Sequence, residues 1–360
     1  MSNKKIGIIT IHSDLNYGAA LQAYALNQFL VNKGYNSEII NYIKIPNHPR
    51  QYPFPVNIAY WLMNRPRHNR YRKFLKSSVS TQTWHSVDEL MQGFDEPYDV
   101  LISGSDQVWN PTCGGLIDKL NPCYYLAFAD NKKYKKVAYA SSLGSYRFNK
   151  EEIKSVGKWL GEYEHLSTRE QEGKEHLESF LERDVKVVLD PTLLLNHKEW
   201  QRVAAPVSKV KDEKFVLVYY IDEIAECVEY ARKVADANGW KVAMMTNTAK
   251  RFPGVDINIP FCGPAEFLWL FDKAQFVCTN SFHGTAFSVN FNKNFISVIK
   301  RNSPQRAQTL LKNVGLSERL LTDIGQIDSL SEQIDWTTTN EKLLQLRTDS
   351  IEYLINAIEN

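Results

Sequence analysis

Continuous apolar runs alternate with amphipathic stretches along most of the chain. Lys5 to Ile11 is apolar throughout, as expected of a strand covered on both faces. Ala19 to Lys33 then repeats Leu21, Ala25, Leu26, Phe29 and Leu30 at helical spacing and stops at Gly34, and Tyr35 to Tyr42 returns to a strand pattern. Further strands are predicted over Asp99 to Ser103, Lys136 to Ser142, His165 to Thr168 and Val185 to Leu189, with helices over Lys150 to Leu160 and Gln171 to Leu181. A charged stretch, Ser208 to Lys214, precedes a second set of the same kind. It has strands over Phe215 to Tyr220 and Lys241 to Thr246, a helix over Glu223 to Asn238 ended by Gly239, and a helix opened by Gly263-Pro264-Ala265-Glu266. Two alternating sets predict an α/β protein of two domains, over 1–195 and 196–339, with a helical stretch within 340–360 crossing back to the first.

The pattern is most informative from Phe276 to Ser297. A β-branched and aromatic run breaks at Asn280-Ser281, passes His283 and Gly284, resumes at helical spacing and gives way to a strand, Phe295 to Ile299. Such a unit sets a helix N-terminus, with its unpaired N–H groups and partial positive charge, at the carboxyl edge of a parallel sheet, where α/β proteins bind anions. His283 falls at that mouth, as a functional imidazole or as a capping residue. Basic residues follow: Lys300, Arg301 and Arg306, with Pro304 starting a helix.

Composition narrows the chemistry. At 360 residues the chain exceeds one ordinary core, and 43 Lys plus Arg against 41 Asp plus Glu leave a net charge of +2, no field for gripping nucleic acid. The start lacks a signal-peptide pattern, no apolar run reaches membrane-spanning length, and five scattered cysteines suit neither a disulfide framework nor a zinc site; a cytoplasmic location is expected. Neither a cofactor nor a metal is expected, since no His or Cys cluster has ligand spacing.

Polar turns at strand ends supply the other candidates. The turn Ser13 to Gly18 brings Asp14, Asn16 and Tyr17 to the end of the first strand, as ligand contacts or as a capping turn, and holds too few glycines for a dinucleotide fingerprint. Gly104 to Pro111 offers Ser105, Asp106, Gln107, Trp109 and Asn110, a mixture suited to a sugar's hydroxyls and apolar face, although a tryptophan there also serves as a core plug. Arg169 ends a strand, either as an anion clamp or paired with Glu170 or Glu172. Six prolines between Pro46 and Pro97 mark a surface excursion with one helix near Val56 to Leu75. Its basic run at 65–76 (Arg65, Arg67, Arg70, Arg72, Lys73) is a solvated face or a peripheral contact with an anionic membrane.

Four of these segments, in this order, resemble the polysaccharide pyruvyl transferase family: Gly18 to Leu30, Gly104 to Pro111, Ser167 to Glu170 with Asp190 to Leu194, and Asn280 to Ser288. The similarity implies two Rossmann-like domains facing a cleft, as in glycosyltransferases of the B type. It also implies phosphoenolpyruvate as donor and a sugar of a surface polysaccharide, or its lipid-linked precursor, as acceptor, with a pyruvate ketal or enolpyruvyl product. It makes His283 the catalytic acid and Arg169 a donor ligand; around the Ser281 turn, Lys300, Arg301 and Arg306, helped by the Gly284 and Thr285 amides, are the further candidates for the donor. Asp14, Asn16, Tyr17, Ser105, Asp106, Gln107, Trp109 and Asn110 are then left for the acceptor. Many relatives carry arginine where this chain has Ser281, so a donor cation is expected elsewhere. The same architecture admits two alternatives, a nucleotide-sugar glycosyltransferase and a polysaccharide-binding protein without activity.

Overall fold

A computed structural model describes residues 4–43, 56–94, 97–113, 120–221, 225–248, 250–298, 305–321 and 334–360, with 56–61, 63, 225 and 226 as backbone alone. In chain order the elements begin β1 (Lys5–Ile9), α1 (Tyr17–Asn32), β2 (Asn36–Tyr42), α2 (Val56–Leu75), β3 (Val79–Trp84), α3 (Val87–Met91), β4 (Val100–Ser103) and β5 (Lys135–Ala138). Then come α4 (Lys150–Gly161), β6 (Ser167–Thr168), α5 (Gln171–Leu181), β7 (Lys186–Val187), α6 (His197–Gln201), β8 (Phe215–Tyr219), α7 (Ala225–Asn238) and β9 (Lys241–Thr246). The last are β10 (Ile257–Pro260), α8 (Pro264–Lys273), β11 (Phe276–Thr279), α9 (Phe282–Asn290), β12 (Asn294–Val298), α10 (Gln305–Val314), β13 (Leu320–Leu321) and α11 (Trp336–Glu359). Lys300, Arg301 and Pro304, and the prolines from Pro46 to Pro55, lie outside the described residues.

The described residues fall into two compact units, one within Met1–Tyr60, Leu75–Leu194 and Leu346–Asn360, the other within Trp61–Phe74 and Leu195–Gln345. The first holds a parallel sheet in the order β3-β2-β1-β4-β5, and parallel bridges from Val137 to His165 and from Ser141 to Thr168 lead on to the β6-β7 pair. The second holds a parallel sheet in the order β10-β9-β8-β11-β12-β13. Each order reverses beside its first strand, between β1 and β4 and between β8 and β11, and the carboxyl ends of strands at such a reversal are where open α/β sheets bind ligands. The α/β architecture expected from the alternating pattern is observed, with the Rossmann-like domains that the family resemblance implies.

Burial explains which runs became strands. β8 is buried at all of its positions, as a central parallel strand must be. β3 and β10, which the hydrophobic pattern did not single out, are sheet edges. β3 buries only Ser80 and Trp84 of VSTQTW, and β10 ends in Pro260, tolerable where no further strand needs its N–H. The expected strand to Ser142 stops at Ala138, and Ala140 turns with a φ of +53°.

Two segments are interleaved between the units. Residues 61–74 of α2 belong with the second unit rather than with the N-terminal half of the chain, because Arg70 docks there. Its Nη1 donates to Phe261 O at 2.5 Å and its Nε pairs with Glu266 at 3.2 Å. Residues 346–360 of α11 belong with the first unit. Leu189 N donates to Ser350 Oγ at 2.9 Å, Arg347 Nε to Leu193 O at 2.6 Å and Tyr353 Oη to Ala138 O at 3.1 Å. Leu354, fully buried, anchors that end of the helix. Leu354→Ala is expected to destabilise the protein by about 2–5 kcal/mol, the usual cost of a buried leucine, measured by urea unfolding. A change within about 0.5 kcal/mol, as at a surface position, would show that this stretch of α11 is no part of the core.

Candidate functional site

In the second unit the site grows from the end of β11. Ser281 leaves the strand in an extended conformation (φ −106°, ψ 137°) and caps α9, its side chain accepting from Gly284 N at 3.5 Å. Thr279 Oγ1 accepts from Ser281 N at 3.1 Å and fills the space against residue 284. A β-carbon there would lie 2.9 Å from Thr279 Cβ and closer still to its hydroxyl, so only glycine fits. Thr285 Oγ1 bonds Ser281 O at 3.1 Å and Ser297 Oγ at 2.8 Å, which ties the first turn of α9 to β12.

Around this turn the side chains are polar but enclosed. His283 keeps 6% of its surface exposed, and Phe282 lies edge-on to it with ring centroids 5.1 Å apart. The Arg306 guanidinium, from α10, sits 5.5 Å from the Phe282 ring centroid, a cation–π contact that holds positive charge near the helix start. Ser281 also hydrogen-bonds the hydroxyl of Tyr219, at the end of β8. Burial pushes that phenol up to about 12, against the opposing pulls of Ser281 and of the Arg67 charge. Ser281, His283, Gly284, Thr285 and Arg306 are thus brought together, while Arg301 lies outside the described residues. Tyr219 joins them without having been singled out in the sequence; the signal for it was its place at the end of the strand beside β11.

Arg169 is buried in the first unit, and of its two readings the ion pair is the one seen. Its Nη1 meets Asp190 Oδ2 at 2.5 Å, its Nε meets Glu170 Oε1 at 3.4 Å and its Nη2 meets Asp106 Oδ1 at 3.6 Å. Burial alone would pull the guanidinium pKa down, but these carboxylates more than offset it and raise it. Asp190 in turn accepts from Thr192 N at 3.0 Å and Thr192 Oγ1 at 2.7 Å, and Glu170 accepts from Ser142 Oγ at 2.5 Å. The guanidinium is therefore committed to structure, which corrects its assignment as a donor clamp. Asp106 holds a φ of +70°, with its carboxylate accepting from Gln107 N at 2.9 Å.

The strand-end turns of this unit lie where expected, but their side chains divide. β1 and β4 end side by side, joined by Gly104 N to Ile9 O at 2.8 Å and Thr10 Oγ1 to Ser105 O at 2.7 Å. Asp14 and Asn16 are exposed, and Asn16 caps α1 by accepting from Ala19 N at 3.2 Å. Tyr17 and Ser105 are buried. Trp109 cannot stack on a sugar. It is fully buried, parallel to Tyr125 at 5.8 Å, and donates Nε1–H to Tyr124 O at 3.3 Å, so it is the core plug. Gln107 and Asn110 stay half-buried and bond each other at 2.8 Å.

The basic stretch of α2 is split rather than uniformly solvated. Arg65, Arg72, Lys73 and Lys76 are exposed, whereas Asn64, Arg67 and Tyr71 form a buried stripe. Among the described residues no helix is long and apolar enough to cross a membrane, and no group of three His, Cys, Asp or Glu side chains could hold a metal ion.

Two substitutions probe these arrangements. Gly284→Ala should destabilise the protein and distort the start of α9, whereas Gly157→Ala in α4, where the nearest atom is 4.0 Å away, should stabilise by about 0.5–1 kcal/mol; paired urea titrations compare them. Arg169→Ala should cost about 3–5 kcal/mol by leaving Asp190 and Glu170 buried without their cation, read from the shift in urea midpoint.

A model of the polysaccharide pyruvyl transferase family matches residues 16–302. No curated protein matches the chain. Among solved structures, the UDP-GlcNAc 2-epimerase of Neisseria meningitidis, bound to UDP-GlcNAc, is similar with a TM-score of 0.57 at 10% identity over 98% of this chain and 100% of that one. The UDP-GlcNAc 2-epimerase of Methanocaldococcus jannaschii gives 0.55 at 12% identity over 96% and 99%. Such identities establish a shared glycosyltransferase-B-like fold and nothing of substrate. The match over most of the sequence, through the turn that carries His283, makes this chain a member of the polysaccharide pyruvyl transferase family.

Proposed function

We propose that the chain moves a pyruvyl group from phosphoenolpyruvate to hydroxyls of a sugar in a surface polysaccharide or its lipid-linked precursor, forming a ketal. The observation that carries this reading is the first turn of α9, where His283 and the Ser281-capped helix start share the carboxyl edge of the second sheet in a pyruvyl transferase family member. A dianionic phosphate suits the positive end of a helix, and imidazole is the side chain best matched to proton transfer near neutral pH.

The reaction needs one proton placed and two withdrawn. In the proposal His283 gives a proton to the methylene carbon of the donor, so that positive charge develops at the neighbouring carbon. A sugar hydroxyl bonds to that carbon and releases its proton back to the imidazole. The carbon–oxygen bond to phosphate then breaks with its electron pair, and a second hydroxyl closes the ketal as its proton leaves with the phosphate. Arg306 and the α9 dipole favour the departing anion. Of the acceptor candidates, Gln107 and Asn110 keep partly accessible polar groups at a strand end, while Asp14 and Asn16 are exposed beside it. The exposed basic residues of the 65–76 stretch, Arg65, Arg72, Lys73 and Lys76, suit a peripheral approach to a lipid-linked acceptor from the cytoplasmic side.

The test is phosphate release from phosphoenolpyruvate in the presence of lipid-linked sugars, with the product weighed for an added pyruvate. Phosphate release with the matching mass gain is expected for the wild type, and His283→Ala should lose at least about a hundredfold in kcat while folding normally. Wild-type turnover in that variant would remove His283 as the acid. Tight binding of a UDP-sugar with no release from phosphoenolpyruvate would replace the reading with nucleotide-sugar transfer.

A further inference from the structure

The loops that follow β4 and β5 are held in strained backbone. Asp106 (φ +70°) and Ala140 (φ +53°) are both left-handed, a region unfavourable to side chains other than glycine, and Asp106 pairs with Ser141 in a parallel bridge. Ser142 N donates to Asp106 O at 3.0 Å and Trp109 N to Ser142 O at 3.1 Å, so the two loops form one surface next to the reversal of the first sheet. Gln107 lies on that surface against Gly144. A β-carbon on Gly144, whose φ is +57°, would overlap Gln107 Oε1 and stand 3.2 Å from Asn110 Nδ2, so the glycine makes room for both amides.

Hydrogen bonds fix which way each amide points. Thr112 N can only donate, so the Asn110 atom that it meets at 3.0 Å is Oδ1, which also accepts from Thr112 Oγ1 at 2.7 Å. Asn110 Nδ2 therefore faces Gln107, and the Gln107 atom 2.8 Å from it is the acceptor, Oε1. Both side-chain oxygens are thus engaged within the loops. Among the described residues nothing accepts from Gln107 Nε2, which is open to solvent rather than enclosed. The face that Gln107 turns outward is a hydrogen-bond donor.

A sugar hydroxyl donates as well as accepts, and is served best by an amide that shows it both groups. A donor face fits an oxygen that only accepts. On sugars such oxygens belong to acyl groups, whose carbonyl is neutral, or to carboxylates and phosphates, which are charged. Charge separates the two. Asp106 Oδ1 accepts from Gln107 N at 2.9 Å, and Asp106, Glu170 and Asp190 already surround the single Arg169 guanidinium. A further anion would enter an excess of negative charge, whereas a neutral carbonyl would not. Of the acyl carbonyls, the amide oxygen is the stronger acceptor.

We propose that Gln107, oriented by Asn110 and seated against Gly144, selects acceptor sugars carrying an N-acyl group by donating Nε2–H to the acyl carbonyl oxygen. The inference deepens the pyruvyl-transfer reading and rests on it for the acceptor being a sugar. Asn110 and Gly144 act through Gln107, as positioning residues.

The test is a saturation-transfer NMR titration of the full chain with methyl glycosides of the gluco and galacto series, each as the N-acetyl sugar, the plain hexose and the uronic acid. In at least one series the wild type should bind the N-acetyl sugar about 3- to 10-fold more tightly than the hexose, the worth of one neutral hydrogen bond, and the uronic acid no more tightly than the hexose. Gln107→Glu, which exchanges the donor for a carboxylate, and Gln107→Ala should both bring the two neutral sugars within about twofold. Gly144→Ala, which keeps every hydrogen-bonding group but displaces the amide, should reduce the preference. Gln92→Glu, the same exchange at an exposed position of the same unit, should retain it. A wild type without the preference in either series, a preference kept by both Gln107 variants, or tightest binding of a uronic acid would overturn the assignment. Binding is read apart from turnover. The preference in a protein that releases no phosphate from phosphoenolpyruvate would keep Gln107 as the acyl-reading residue and discard the reaction, and phosphate release without the preference would do the reverse.

Discussion

Thr279 fills the space against residue 284, and the functional end of the second unit follows from that contact. With glycine there, α9 can begin immediately after β11, its first turn bound to Thr279 by Ser281 N and to β12 through Thr285 and Ser297. His283 is therefore held by backbone on both sides rather than by a loop, and Ser281 links the turn to Tyr219 on the neighbouring strand. A helix start fixed in this way needs little rearrangement to meet an anion, which is what transition-state stabilisation by preorganised dipoles requires.

Each unit encloses a guanidinium group. Arg169 is surrounded by Asp190, Glu170 and Asp106, and its charge holds β6, the Asp190 turn and the strained Asp106 loop together. Arg67, on the inner face of α2, lies against the ring and hydroxyl of Tyr71.

Most of the architecture was legible because central parallel strands are apolar on both faces and their crossover helices carry a 3.6-residue period. The turn at His283 was legible for the same reason, since a strand, a polar turn and a helix follow in unbroken register. The edge strands β3 and β10 were not, because a strand open on one side can be polar or end in proline. Trp109 and Arg169 misled because a side chain beside a polar strand end can point either into the crevice or into the core. Only the stacking on Tyr125 and the carboxylate of Asp190, distant in sequence, decide which. Arg67 was hidden inside a basic run. The stripe Asn64, Arg67, Tyr71 has helical spacing but no aliphatic residue to mark it as the inner face.

The interleaving of 61–74 with the second unit and of 346–360 with the first has a consequence for synthesis on the ribosome. Arg70 and Tyr71 of α2 emerge well before Glu266, Tyr219 and Cys262, which they face in the folded unit, and wait exposed until these are translated. The first sheet likewise lacks Ser350, Tyr353 and Leu354 until they follow the whole of the second unit. Neither unit can therefore be cut out as one contiguous fragment, and the first is completed only after the second has been translated.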